Sequence, residues 1–233
     1  MSVNRYARLA PEHPFPTGVN DCYDTLKWAL ANASQLGATP SAGVVVGGGS
    51  AGGNIAAVLA CLAREEKLDP PITGQYLCVP ALLPEGNVPE KYKDEYKSRS
   101  ESVSDPVIGK LNEDILRGLF SSLSIPFTIK LTHIIIPEIY KPDPTSPLWD
   151  PFNHPSGHTN LPKAYFQVAG LDPLRDEAIL YDRILQQGGV ESKFDFYPGY
   201  GHMFWTNWPE MNMSKRFWGD MVKGMGWLLG REV

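Results

Sequence analysis

The sequence has few cysteines, no excess of basic residues and no recognisable secretory pattern, and each of these absences argues against a class of protein. Its three cysteines are widely spaced and odd in number, so they form neither a disulfide framework nor a metal-binding pattern. We expect buried thiols in a reducing compartment, and therefore predict a cytoplasmic protein. The net charge of −5 argues against a nucleic-acid partner. The first residues lack the charged-then-apolar order of a secretory leader.

Long apolar runs without charge are also scarce, and the one that could mislead is interrupted by glycine. Residues 43–63 carry no charge and are long enough to cross a bilayer. Five glycines lie between residues 47 and 53, where they would weaken a helix. A strand, a tight turn and a buried helix explain this run better, so we predict no membrane span.

From residue 43 onward, strand patterns alternate with helix patterns. This alternation predicts an α/β fold, a mostly parallel sheet with helices on both faces. The length of 233 residues suits a single domain over 1–233, with an irregular insert at about 84–162. The predicted strands are 43–47, 74–79, 164–170 and 193–197, and the predicted helices are 18–36, 50–66, 175–188 and 209–229.

The most informative feature is a serine in a glycine-rich turn between the first strand and the helix that follows it. Ser50 is at the centre of Gly48-Gly49-Ser50-Ala51-Gly52. This is the pattern of a nucleophile elbow, in which a strained turn lifts the hydroxyl above the sheet and small neighbours let strand and helix approach closely. The helix N-terminus would point the amide groups of Ala51 and Gly52 at an oxyanion. The elbow predicts a serine hydrolase.

A serine nucleophile needs an adjacent base, and the chain has five histidines. His202 fits best because it follows strand 193–197 and a glycine-rich turn, which places it at the carboxyl edge of the sheet. His154 and His158 lie in a proline-flanked loop and are expected to be exposed to solvent. The other two are His13, which lies among prolines, and His133, which lies in an apolar segment.

The acid should follow the preceding strand, and Asp172 comes directly after strand 164–170. Its carboxylate can reach the same edge of the sheet as the histidine and hold the imidazole tautomer. Asp176 is the alternative, but it falls with Glu177 in the first turn of the next helix, where the helix dipole explains both. Next to the base, Phe204 and Trp205 are candidates for an apolar substrate pocket, although core packing explains these aromatic side chains nearly as well.

Together these motifs resemble the hormone-sensitive-lipase-like branch of the α/β-hydrolases. That branch has Gly-Asp-Ser-Ala-Gly-Gly-Asn where residues 48–54 read Gly-Gly-Ser-Ala-Gly-Gly-Asn. The resemblance implies a carboxylic-ester hydrolase that acts on small or medium esters through an acyl-enzyme and uses no cofactor or metal. It implies Ser50, Asp172 and His202 as the triad. The other matching segments, in the family's order, are 9–16, 171–177 and 201–204.

The sequence departs from this family at three points. Gly49 replaces the acidic residue before the serine, and no His-Gly-Gly-Gly loop occurs, so the second oxyanion donor has no obvious source. The absence of one donor costs about 10²–10³ in rate. Relative to the family, the chain begins near the end of the fourth strand. Strand 43–47 would then be an exposed edge, and we expect residues 124–139 or a second copy of the chain, in a homo-oligomer, to cover it.

Two rival functions follow from the same residues. An incomplete oxyanion hole favours a hydrolase-like protein with repurposed chemistry, either condensation or cyclisation, or ligand binding without ester hydrolysis. Gly47-x-Gly49-x-x-Gly52 also matches a dinucleotide-binding fingerprint, with Asp69 as the ribose-binding acid. The second alternative is weaker because it explains neither Asp172 nor His202.

Overall fold

A four-stranded parallel sheet forms the centre of the protein. The computed structural model describes residue 3 and residues 7–109 and 140–232. Every neighbouring pair of strands is parallel, which confirms the predicted sheet. In spatial order, which is also chain order, the strands are β1 (Val45–Gly49), β2 (Gly74–Cys78), β3 (Lys163–Ala169) and β4 (Ser192–Tyr197).

Helices connect the strands and cover both faces of the sheet, as the alternation of patterns predicts. The described helices are α1 (Thr17–Ala31), α2 (Ala51–Glu65), α3 (Ser98–Glu101), α4 (Arg175–Gln187), α5 (Phe204–Asn207) and α6 (Asn212–Leu228). Single 3₁₀ turns are formed by Pro40–Ala42, Glu85–Asn87 and Glu90–Tyr92. Within the described ranges, no helix is both long and apolar enough to cross a membrane.

The core consists of two clusters because the side chains of a strand alternate between the faces of a sheet. One cluster joins Leu77 and Phe166 of the strands to helices α2 and α4. The other joins Cys78 and Tyr197 to the aromatic side chains of α5 and α6. Strand β3 is buried along almost its whole length, as a central parallel strand should be.

The predicted boundaries are correct to within a few residues, with one larger difference: the first helix ends at Ala31 rather than at residue 36. The predicted helix 209–229 is α6, and the short helix α5 that precedes it was not predicted. Strand β1 runs two residues further than predicted, because Gly48 and Gly49 still pair with Leu77 and Cys78. The glycines of the elbow thus complete the ladder before the turn.

Strand β1 lies at one end of the described sheet and pairs with β2. The segment 124–139, predicted to cover its free edge, lies outside the described residues. The covering of this edge, by that segment or by a second copy of the chain, therefore stays a prediction.

Candidate active site

Ser50 forms the sharp turn between β1 and α2. Its backbone has φ 56° and ψ −118°, a conformation that is strained for a residue with a side chain. The strain is held from both sides, because the Ser50 N–H donates to the carbonyl of Cys78 at 2.9 Å and the Ser50 carbonyl accepts the N–H of Asn54 at 3.1 Å. The side chain is half-buried, so its hydroxyl is anchored and yet accessible.

The close approach of strand and helix at the elbow requires glycine. A Cβ on Gly48 would lie 2.5 Å from the carbonyl carbon of Gly52, and a Cβ on Gly53 would lie 2.7 Å from the Cβ of Pro80. Both distances are far shorter than ordinary contacts. Gly48 and Gly53 therefore allow the strand and the helix to pack closely at the elbow.

A line of hydrogen bonds joins the serine to the predicted base and acid. His202 Nε2 lies 3.0 Å from Ser50 Oγ, and His202 Nδ1 lies 2.8 Å from Asp172 Oδ2. The acid and the histidine are almost fully buried, with 1% and 2% exposure. Because a carboxylate only accepts hydrogen bonds, Nδ1 carries the proton and Nε2 is free to accept from the serine hydroxyl.

The sheet explains why residues so far apart in sequence meet. Asp172 follows β3 and His202 follows β4, and the carboxyl ends of parallel strands share one edge. Two bonds tie the loops together: the Gly170 N–H donates to Tyr197 O at 2.9 Å, and the Leu171 N–H donates to Tyr200 O at 2.8 Å. The other oxygen of Asp172 accepts the N–H of Leu174 at 2.8 Å, which fixes the carboxylate's orientation.

Ala51 and Gly52 form the first turn of α2, directly beside the serine. Ala51 is exposed and Gly52 is half-buried, so both are open to a bound molecule. The amide groups of a helix's first turn have no partner within the helix, and the dipole of a 15-residue helix favours negative charge there. Their role as oxyanion donors stays a prediction.

Phe204 and Trp205 are buried in the second core cluster, with 1% and 4% exposure. Trp205 stacks on Phe217 with ring centroids 3.8 Å apart, and Phe204 meets Trp205 edge to face. Packing against α6 accounts for their burial. A role in lining a substrate pocket stays a prediction.

The expectation that His154 and His158 are exposed is wrong for His154 and only partly right for His158. His154 is 6% exposed, its Nδ1 accepts the N–H of Ser156 at 3.3 Å, and burial lowers its pKa. His158 is half-buried, and its Nε2 lies 3.0 Å from the carbonyl of Pro151, to which it donates. Burial lowers the pKa of His158 too. Both rings serve loop packing, and His133 lies outside the described residues.

Asp176 and Glu177 lie in the first turn of α4, as predicted, but the helix dipole explains them only in part. Asp176 accepts the N–H groups of Lys97 and Ser98, each at 2.7 Å.

Glu177 is fully buried. It accepts two backbone N–H groups, at residues 82 and 83, and pairs with Arg99 at 2.6 Å. Burial opposes the charge on Arg99, but the carboxylate outweighs it, so the pKa of Arg99 is raised. Both acids hold the insert against α4.

Asp105, which was not predicted as a site residue, has a carboxylate that accepts the backbone N–H of His202 at 2.7 Å. The two residues are 97 positions apart, and the local Ser-Asp-Pro pattern predicts a turn rather than a contact with the base. In the described part of the chain, no three His, Cys, Asp or Glu side chains are grouped so that they could hold a metal ion.

A parallel sheet with a serine elbow after one strand, and with an acid and a histidine after later strands, is the architecture of the α/β-hydrolases. The family model for the alpha/beta hydrolase fold matches residues 3–206. The chain belongs to the α/β-hydrolase family, and its resemblance to the hormone-sensitive-lipase-like branch is confirmed.

Similar proteins include esterases and a cyclase. An AB hydrolase superfamily protein of Schizosaccharomyces pombe is 38% identical over 95% of this chain and 60% of its own length. The versiconal hemiacetal acetate esterase of Dothistroma septosporum is 34% identical over 98% of this chain and 64% of its own length. The crystal structure of vibralactone cyclase superimposes with a TM-score of 0.80 at 35% identity, over 97% of this chain and 60% of that one. The chain thus spans less than two thirds of the length of these relatives.

Proposed function

We propose that this chain is a serine carboxylic-ester hydrolase in which Ser50 is the nucleophile, His202 the general base and Asp172 the acid that orients it. The observation that carries the proposal is the pair of contacts at 3.0 Å and 2.8 Å that links the three side chains. The 3.0 Å distance is in the range that proton transfer between nucleophile and base requires, and the 2.8 Å distance is that of a hydrogen bond which orients the base. The esterase among the similar proteins supports the same reaction class.

The geometry suits a two-stage reaction with an acyl-enzyme. Ser50 Oγ attacks the ester carbonyl carbon while its proton passes to His202 Nε2. The carbonyl oxygen becomes an oxyanion beside the N–H groups of Ala51 and Gly52. Collapse of the intermediate breaks the bond to the alcohol, which leaves with the proton from Nε2. Water then attacks the acyl group, returns a proton through His202, and releases the carboxylic acid and free Ser50.

Asp172 acts through the histidine. Its carboxylate holds the Nδ1 proton and stabilises the imidazolium that forms in both stages. The low exposure of the pair matters, because electrostatic stabilisation is stronger where water is excluded.

The test is the labelling of Ser50 by a fluorophosphonate together with the turnover of short p-nitrophenyl esters. We expect stoichiometric labelling and hydrolysis in the unaltered protein, and neither in Ser50→Ala. Ser34→Ala is a matched control, since that serine lies in the loop after α1. A folded protein that is neither labelled nor active would refute the proposal.

Cyclisation is the second candidate, and the similarity to vibralactone cyclase is the observation that favours it. The same acyl-enzyme could be attacked by a hydroxyl on its own acyl chain, with His202 taking that proton, so that the product is a lactone instead of an acid. A hydroxy-acid p-nitrophenyl ester separates the two outcomes: mass spectrometry finds hydroxy acid if water attacks and lactone if the internal hydroxyl does.

A further inference from the structure

We propose that Asp105 is a positioning residue that fixes His202 in register with Ser50 and Asp172. This inference rests on the proposed function for its catalytic meaning. The structural part of the proposal is that the Asp105 carboxylate fixes the position of the imidazole. This part does not depend on whether the protein hydrolyses esters.

Asp105 divides its two oxygens between its own loop and the histidine loop. Oδ1 accepts the N–H groups of Val107 at 2.8 Å and Ile108 at 2.9 Å, which closes the turn that Asp105 begins. Oδ2 accepts the N–H of His202 at 2.7 Å. One rigid carboxylate therefore links the insert to the main chain of the base.

The burial of this carboxylate exceeds what a turn requires. Asp105 is 5% exposed, whereas Asp143 closes a similar turn at the surface by accepting the N–H of Thr145 at 2.9 Å. Burying a charged carboxylate is costly unless hydrogen bonds compensate for lost water, and here three N–H groups do so. The turn at Asp105 differs from the turn at Asp143 in this added hydrogen bond to His202.

The bond acts on the residue whose position matters most. The imidazole must contact Ser50 and Asp172 at the same time. Because only two rotatable bonds connect the ring to the backbone, a displacement of the Cα moves the ring nitrogens by a similar distance. Elsewhere the loop is tied by the Leu171 N–H to Tyr200 O and by the Phe204 N–H to Gly201 O at 3.3 Å. Asp105 anchors His202 itself between these two ties.

Gly201 makes the approach of Asp105 feasible. A Cβ at residue 201 would overlap Asp105 Oδ2. The glycine before the histidine therefore has a packing reason: it lets the carboxylate reach the next N–H. An alanine there provides a second way to disturb the contact without removing the carboxylate.

Three variants and one control test the proposal. Asp105→Asn keeps the size but not the charge, and Asp105→Ser can close its own turn but is too short to reach His202. Gly201→Ala displaces the intact carboxylate. Asp143→Ala, the surface turn, is the control.

Two readouts separate positioning from stability. The first readout is kinetic: the rate of fluorophosphonate labelling, together with kcat and KM for a p-nitrophenyl ester. The second is the low-field proton NMR resonance of His202 Nδ1–H, which is assigned by its loss in His202→Ala. We expect the labelling rate and kcat to fall by about 10²-fold in the Asp105 variants, with KM little changed, since a misplacement of about 1 Å costs that much. The resonance should shift or vanish, while Asp143→Ala matches the unaltered protein.

Unchanged labelling and an unchanged resonance in folded Asp105→Ser would overturn the proposal. So would losses that only follow the unfolded fraction in urea while the resonance stays in place. If the Asp105 variants do not fold, Gly201→Ala decides between the same outcomes. If the unaltered protein neither labels nor hydrolyses esters, the proposed function fails, and the resonance alone still supports or overturns the positioning of the ring.

Discussion

Two adjacent glycines of the elbow should differ in their tolerance of the same substitution. In Gly48→Ala the new methyl would lie 2.5 Å from the carbonyl carbon, 2.6 Å from the oxygen and 2.8 Å from the Cα of Gly52, all of them backbone atoms. In Gly49→Ala the nearest atom is Met203 Sδ, at the ordinary contact distance of 3.7 Å. Both substitutions add one methyl group to the same turn, so each is the control for the other.

The magnitude follows from the distance that the backbone must move. To reach the shortest ordinary contact of 3.4 Å, the first turn of α2 must shift by about 0.9 Å away from Gly48. Overpacking against backbone costs about 3 kcal/mol, the upper end of its usual range. In a domain of this size that loss lowers the Tm by roughly 6–12 °C. Displacing the amide groups of Ala51 and Gly52 by almost 1 Å should also slow fluorophosphonate labelling by about 10²-fold.

The assay is thermal unfolding followed by circular dichroism, together with the second-order labelling rate at a temperature where all three proteins are folded. Gly48→Ala should lose on both measures and Gly49→Ala on neither. Equal behaviour of the two variants would refute the claim that the approach of strand and helix at Gly48 shapes the elbow.

Three further predictions follow from the site and its supports. Asp172→Asn should reduce kcat by roughly 10⁴-fold with little change in Tm, because the amide no longer enforces the tautomer; a rate within threefold of the unaltered protein would contradict it. Glu177→Ala removes a fully buried carboxylate, which leaves the half-buried Arg99 and two backbone N–H groups without their partner, and should cost about 3–5 kcal/mol in urea unfolding. Glu95→Ala, which breaks an exposed ion pair, should cost at most about 1 kcal/mol. Equal losses would contradict this contrast. Burial raises the pKa of Cys61 and of Cys78 to about 12, so both thiols stay protonated at pH 8 and should react with Ellman's reagent only after denaturation or as the pH rises toward that value. Rapid reaction of all three cysteines at pH 8 would count against it.

The parts of the fold and site that were predictable from sequence have local signals. The glycine turn after a valine-rich strand marks the elbow, and Asp172 and His202 lie in the loops that follow β3 and β4. Because the carboxyl ends of parallel strands meet at one edge, three separate local patterns suffice to bring these side chains together.

The parts that were missed depend on contacts distant in sequence. Because Asp105 and His202 are 97 positions apart, the local sequence does not indicate their hydrogen bond. His154 was expected in solvent because prolines flank its loop, but its ring is buried and contacts Glu65 at the end of α2, which is distant in sequence. Any acidic residue in the first turn of a helix interacts favourably with the helix dipole. The position of Glu177 there therefore did not indicate that its side chain is buried and pairs with Arg99.

The proposed reaction requires that Ser50 carries an acyl group during turnover. The most direct measurement is rapid mixing with p-nitrophenyl acetate, acid quenching within the first turnover, and peptide mapping by mass spectrometry. We predict one acetyl group on the peptide that contains Ser50, formed together with a burst of p-nitrophenol, and no acetyl group in Ser50→Ala. Turnover that persists in Ser50→Ala, or an acetyl group on a different residue, would contradict it.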